Sequence, residues 1–521
     1  MTTSARPRLV IIGLDGADWA LLRPLFEDGA MPNLKAFVRA GARALLESVR
    51  PTNSMSAWTS LMTGVNPGRH GVFDFVRKSR TPFKTGLTSS ADIRAPTMFD
   101  VLSANGMRSC VIDMPPLYPP YEINGVMIGG IGAANRTRHS FAYPEDLGER
   151  VVQAVGSFHA DVPWLDKAGH DEELVAELIA LVDNRRQVSE FLLAEEDWDL
   201  FCTVFVAPDR AQHAFWRDLT EGGPRYALAR SFYVALDEQF GRFLERLDLA
   251  TTDVLIVSDH GFRCAITIFD VNQFFVEAGF TRWRWADRTL GRALRLIGTH
   301  IPLPAPAGRT LIDLHGRLQQ TVLASSLAYS DAADGVSVNL AGRESTGRVP
   351  QAAFEEVRDQ IADSLLAFRD PATGAPVLER LLRRDECLHG DYALEAPDLL
   401  LDFADGYAIG RRMGSVLRRW DHLQGVHSRN GIVAAAGPHF RRAIEAPDVS
   451  IMDIMPTVLS LLGVLPSGLD GRVAGELLAA PVAPVAGAPV VRSAPRAEPS
   501  GYSEEEEAVI RERLRGLGYI E

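Results

Sequence analysis

The residues best equipped for chemistry are one hydroxyl and a set of carboxylates and imidazoles: Asp15, Ser54, Asp209, His213, Asp259, His260 and His427. Most of them follow directly on an apolar run. Asp15 closes the run 8–14, Asp209 comes just after 200–206, and Asp259 with His260 closes 254–257. Asp209 and His213 are four apart, so on a helical turn both project from one face and can chelate one ion. An acid and an imidazole side by side at a buried strand end, as Asp259 and His260 are expected to be, are costly unless something satisfies both, and a metal does. Mixed Asp and His donors suit zinc or manganese better than magnesium. Two such ions about 4 Å apart activate an alkoxide and clamp a phosphoryl oxygen at once. Ser54 reads as that alkoxide, because an unaided serine hydroxyl is a poor nucleophile near neutral pH. Plainer roles stand beside these. Ser54 also suits a turn or cap, Asp15 the N-cap of a helix over 19–26, and Asp209 with His213 a surface pair.

Bringing such residues together requires a sheet. Apolar runs at 8–14, 44–49, 109–113, 200–206, 254–257 and 431–437 read as strands, and helical patterns fall at 19–26, 98–104, 171–195, 226–247, 351–368 and 451–462. In an open α/β sheet the residues that follow parallel strands collect along one edge, where the cleft opens. The expected fold is therefore α/β, a central mostly parallel sheet flanked by helices, with an inserted cap region. Residues 1–263 read as the first part of a catalytic core and 424–479 as its closing part. Between them, over 264–423, the alternation loosens around Arg282-Trp283-Arg284-Trp285 and a proline-rich stretch at 302–306, as in an insertion that covers the cleft. Residues 480–500, rich in Ala, Pro and Val, read as a linker. Residues 501–521 read as a helical tail with acids near its N-terminus, where the helix dipole favours them.

Across 521 residues, 46% hydrophobic and 23% charged content is ordinary for a soluble protein. A net charge of −13 without any basic run argues against a nucleic-acid partner. No apolar run is long enough to span a bilayer. Cys110, Cys202, Cys264 and Cys387 are scattered, which argues against a disulfide framework, and the N-terminus leaves no room for a leader, so a cytoplasmic location is expected. No pattern points to a particular oligomeric state.

The order and surroundings of the reactive residues resemble the alkaline phosphatase superfamily, and within it the type I phosphodiesterase and nucleotide pyrophosphatase branch. The matching stretches are VIIGLDGAD, SAWTSLMTGVNPGRHGVFDF, APDRAQHAFW, VSDHGF and GVHSRNGI. Weaker agreement continues through SVNLAGRESTGRV, EAPDLLLDF, IMDIMPTVLSLLGV and the final LGYIE, so nearly the whole chain is covered. The resemblance implies an alkaline-phosphatase-like core and a phosphoric-ester hydrolase that uses two divalent ions, zinc first and manganese second. Carried over residue by residue, Asp209, His213 and His427 would hold one ion. Asp15, Asp259 and His260 would hold the other, with Ser54 beside both and phosphorylated during turnover. Two positions depart from the family pattern. Its nucleophile is usually threonine, where this chain has Ser54, with Thr52 the next candidate. Its phosphate-binding asparagine falls near Phe75, which cannot donate a hydrogen bond. Sulfatases require a Pro and an Arg at fixed spacing after the nucleophile, and Ser54-Met55-Ser56-Ala57-Trp58 has neither.

The expected substrate is a small-molecule phosphate ester. Ala57, Trp58 and Phe75 are expected to form an apolar wall that suits a second ester substituent, favouring diesters over monoesters. Arg210 and Arg429 lie beside proposed ligands as candidate cations, whereas His70 and Arg69 read as structural. Three rivals remain: a phosphotransferase or mutase, a phosphomonoesterase, and a metal-binding regulatory protein without turnover.

Overall fold

Parallel strands covered by helices on both faces need no polar alternation, and Arg8–Leu14 shows it: Val10, Ile11 and Ile12 are fully buried. Each such side chain contributes ~1.5–3 kcal/mol through burial. In the computed structural model, which describes residues 7–78, 85–130, 141–281, 325–420, 422, 424–464, 466–482, 502 and 504–517, this strand lies in the middle of a ten-stranded sheet. The order is Ile444–Glu445, Ala42–Glu47, Asn430–Ala436, Thr252–Val257, Arg8–Leu14, Leu200–Phe205, Ser109–Met114, Gly125–Gly129, Ala142–Tyr143, with Val449–Ser450 also paired to Ala42–Glu47. Neighbours are parallel except at Ala142–Tyr143 and at Asn430–Ala436, which is antiparallel to both of its partners. The latter strand begins three residues after His427, so the chain enters the sheet from the cleft edge and must run away from it. The Arg-Trp run at 282–285, the prolines at 302–306 and almost all of the 480–500 stretch lie outside the described residues.

Helices Met98–Ala104 and Asp171–Glu195 form where the periodicity places them. The pattern at 351–368 resolves into a single 3-10 turn, Gln351–Ala353, leading into helix Phe354–Ala367. That helix packs in a second hydrophobic cluster, drawn from residues between 269 and 417 and including Phe269, Val336, Ile361, Leu399 and Phe403. Strand Gly261–Asp270 links the two parts. It leaves the large sheet just past His260 and pairs with Gly425–Ser428, Gly406–Gly410 and Leu417–Arg419.

The tail returns to the main core. On helix Glu504–Gly516, Ile510 and Leu514 are buried, as is Leu517 just beyond it. Tyr502 stacks on Tyr118 with ring centroids 5.9 Å apart. Among the described residues no helix is long and apolar enough to cross a membrane.

Candidate active site

Three adjacent strands deliver three carboxylates. Arg8–Leu14 lies between Thr252–Val257 and Leu200–Phe205, and Gly13 is level with both Val257 and Val204. Asp15, Asp259 and Asp209 therefore emerge side by side, Asp209 in the first turn of helix Ala207–Glu221. Two glycines make the close packing possible. Gly16 turns the chain at φ 72°, and its N–H donates to Asp259 Oδ1 at 3.2 Å. A Cβ on Gly13 would sit 2.6 Å from the Trp58 ring, so only glycine lets Trp58 lie over the strand and donate through Nε1 to Asp15 Oδ2 at 3.3 Å. This corrects the expected apolar wall. Ala57 and Trp58 are fully buried against the sheet, and of the three residues only Phe75 faces a cavity.

The imidazoles share one orientation. His213 Nδ1 faces Gly425 O at 2.8 Å, His260 Nδ1 faces Gly261 O at 3.2 Å, and His427 Nδ1 faces Thr52 O at 3.3 Å. A proton held on Nδ1 by a carbonyl leaves Nε2 bare, the arrangement of a metal-binding histidine. All three Nε2 atoms converge. His427 Nε2 is 3.2 Å from His213 Nε2 and 3.2 Å from Asp209 Oδ1. His260 Nε2 is 3.2 Å from Asp259 Oδ2, 3.7 Å from Asp15 Oδ1 and 4.0 Å from Asp209 Oδ1. Asp15 Oδ1 and Asp259 Oδ2 are buried and accept no hydrogen bond. Buried carboxylate oxygens and bare imidazole nitrogens pointed at one place fit divalent cations. Ligand atoms cluster within 4.8 Å of one another in two groups, Asp209 with His213 and His427, and Asp15 with Asp209 and His260. Asp209 thus stands in both groups, and Asp259 adjoins the second through His260.

Charge follows from burial. Asp15 is raised well above the usual carboxylate range by burial and then by Asp259 and Asp209. Burial likewise pushes Asp259 up to about 7. Burial would raise Asp209 too, but His213 and Arg210 outweigh it and hold that carboxyl well below its ordinary value. Burial lowers His213 to about 4 and His260 well below the usual imidazole range, which keeps both neutral and able to bind a cation.

Ser54 begins helix Ser54–Thr63, every residue of which is buried. The sequence pattern places it in a polar segment, but Asn53 caps the helix immediately before it. Asn53 accepts from Ser56 N at 3.0 Å and donates to Phe73 O at 2.8 Å. First-turn amides at such a position favour an anion. Ser54 Oγ is 3.2 Å from His260 Nε2. The Thr52 hydroxyl instead donates to Val49 O at 2.9 Å.

Of the candidate cations, Arg210 is fully buried, bound to Asp161 at 3.0 and 2.7 Å and to Asp209. It braces a ligand and is closed to substrate. Arg429 is held by Ser48 O and Glu47. His70 is a core residue, 2.9 Å from Ser60 Oγ, and Arg69 pairs with Asp470. A cavity of about 360 Å³ opens beside His213 and His427, walled in part by Phe75, Trp164, Arg263, Arg411, Trp420 and Arg515. Trp164 stacks on His213 at 5.3 Å, with the rings 6° from parallel. Of these walls, sequence reasoning found only Phe75. Arg263, three residues past His260, was within reach of it, but nothing local marks Trp164 or Arg515.

Solved proteins share this fold. Human ectonucleotide pyrophosphatase/phosphodiesterase 5 superposes with a TM-score of 0.54 at 14% identity, over 91% of this chain and 100% of its own. The murine protein, in an inactive form in complex with AMP, gives the same TM-score, identity and coverage. Phosphonoacetate hydrolase from Sinorhizobium meliloti 1021, in complex with phosphonoacetate, gives 0.56 at 16% identity, over 88% of this chain and 96% of its own. No curated protein matches the sequence. The architecture is that of the alkaline phosphatase superfamily. Within it, the family described as type I phosphodiesterase/nucleotide pyrophosphatase matches residues 9–428, and the chain belongs to that family. It is a hydrolase of phosphoric esters.

Proposed function

We propose that this chain hydrolyses small phosphodiesters through a phosphoserine at Ser54, with two divalent cations, zinc or else manganese. The observation that carries the reading is the position of Ser54 Oγ, 3.2 Å from His260 Nε2, a member of the donor group that shares Asp209 with the other. Asp209, His213 and His427 would hold one cation, and Asp15, Asp259 and His260 the other. When bound, the cations supply activation of the serine hydroxyl and charge stabilisation of the phosphoryl oxygens. Ser54 Oγ forms the bond to phosphorus as one ester P–O bond breaks and its alkoxide leaves. Water then cleaves the phosphoserine and restores the hydroxyl. Asn53 holds the helix start in place, and Trp164 holds the ring of His213.

Support for diesters now comes from the cavity rather than from Ala57 and Trp58. Space beside His213 and His427, walled by Phe75, Trp164 and Leu165, suits a second substituent that a monoester lacks. The charge of −13 suits a small substrate better than a nucleic-acid polymer. All four cysteines are free thiols, which fits the cytoplasm. The test removes metal by chelation, restores zinc or manganese, and compares aryl phosphate mono- and diesters sharing one leaving group. Activity should vanish, return, and favour the diester. Full activity without metal would overturn the mechanism, and preference for the monoester would overturn the substrate class.

A further inference from the structure

Resting on that reading, we propose that the cavity beside His213 and His427 takes an ester substituent that is itself anionic as well as planar, held by Arg263 and Arg515 between aromatic walls. A phosphodiester linkage carries one negative charge, which the proposed cations already meet. The cavity nonetheless gathers five guanidinium groups, Arg263, Arg411, Arg412, Arg418 and Arg515. Some are answered within the protein. Arg418 pairs with Asp270 at 2.7 Å, and Arg411 faces Asp74 and Asp334, the two carboxylates of the lining.

Arg263 shares Asp334 with Arg411 and is answered only at a distance. Among the described residues its Nη1 donates to the carbonyls of Ala404 and Tyr407, at 3.0 and 2.8 Å. Asp334, Asp405 and Asp402 act on it from beyond ion-pair distance among the described residues, and burial lowers its pKa. A partly buried guanidinium whose direct hydrogen bonds go to neutral acceptors, with its carboxylates beyond pairing distance, is costly, and a bound anion would offset part of that cost. Arg263 also lies on the strand that follows His260, opposite Val426 and next to the pair formed by Phe262 and His427. Its side chain lines the same cavity as His213 and His427, on the path of a substituent on a phosphoryl group bound there.

The other cation arrives from the far end of the chain. Arg515 is half-exposed at the cavity and, among the described residues, pairs with the outward Glu512 at 3.0 Å. Its helix is fixed from within. Trp164 Nε1 donates to Leu517 O at 2.9 Å, and the same Trp164 ring stacks on His213. The C-terminal helix thus forms one wall of the cavity and braces a candidate ligand. Trp164 and Trp420 supply flat apolar surface, and aromatic faces accept a planar group together with its neighbouring guanidinium.

Calorimetry on the metal-loaded full chain can compare 2-naphthoate with its neutral analogue 2-naphthylmethanol. The carboxylate should bind at least about tenfold more tightly, as a charge-assisted hydrogen bond predicts. Arg515→Ala and Arg263→Gln should each shrink that gap. Equal affinities in the wild type, or a gap unchanged in both variants, would overturn the proposal, the latter because the carboxylate would then be resting on the metals. Arg515→Ala alters an exposed side chain, so it remains informative if Arg263→Gln fails to fold. A second arm measures hydrolysis of two p-nitrophenyl diesters whose other substituent is phenyl or carboxyphenyl. Turnover of neither would sink the phosphodiesterase reading while the calorimetry still decides the binding site.

Discussion

The two candidate ligand groups differ in how they meet solvent. Asp15, Asp259 and His260 are sealed, each with 0% exposure, beneath helix Ser54–Thr63 and against the sheet. His213 and His427 keep side-chain exposures of 10% and 12% and border the cavity. The sealed group stands on strand ends fixed by the sheet's own hydrogen bonds. The open group is assembled from a helix and an antiparallel strand, with a ring from Trp164 laid against it. The contrast assigns a division of labour. The sealed side holds position, and the open side is where a substrate can enter.

Ser54 lies beside His260 of the sealed group, and its loss should have the largest effect. Ser54→Ala is expected to lower turnover by at least about a thousandfold while leaving two metals per chain and the folded spectrum intact. Metal analysis beside a hydrolysis assay would show this. A rate near wild type would instead bring Thr52 into question.

The contrast itself is tested by paired histidine variants. His260→Ala and His427→Ala should each lose one metal and at least about 100-fold in rate, since even changes outside the ligands themselves cost up to that much. Added imidazole should restore part of the activity only to His427→Ala, whose vacated space adjoins the cavity. Equal rescue of both variants would erase the distinction between sealed and open halves.

A smaller effect is expected from the tail that braces the open half. Leu514→Ala should cost ~2–5 kcal/mol of stability, as for other buried leucines, and should also reduce kcat/KM by loosening Trp164. Denaturant unfolding and steady-state kinetics would separate these two effects. Unchanged stability would mean that the helix does not pack on the core in solution.

The smallest effect is expected outside both ligand groups, in the pH response of a buried acid on strand Ser109–Met114. Asp113 is pushed up to about 7 by burial, with Arg185 opposing. Its folded value lies above its unfolded one, so the folded state holds an extra proton between about pH 4 and 7 and loses stability as pH rises through that window. Asp113→Asn should flatten this dependence by about 1 kcal/mol per pH unit, read from melting curves of both proteins across the window. Asparagine tolerates the left-handed backbone at this position, φ 59°, so the substitution tests charge rather than strain. An unchanged slope would mean that Asp113 does not take up that proton.

Much of this could be read from the chain alone, for a local reason. A parallel sheet places the residue after each strand on one edge, so an apolar run followed by an acid already predicts where that acid goes. Asp15, Asp209 and Asp259 needed nothing more, and the four-residue spacing from Asp209 to His213 needed only a helix. The family signature likewise lies in short contiguous stretches.

Tertiary structure decided the rest, because the deciding partners are distant in sequence. Trp58 turns inward since Gly13 leaves room for its ring, and Arg210 is closed to substrate by Asp161. Asp209 stands in both ligand groups because two other elements bring His260 and His427 to it. The cavity wall joins Trp164, Arg263, Trp420 and Arg515, which no periodicity relates. Strand ends are set by local pattern, whereas a binding surface is set by whichever segments pack across it.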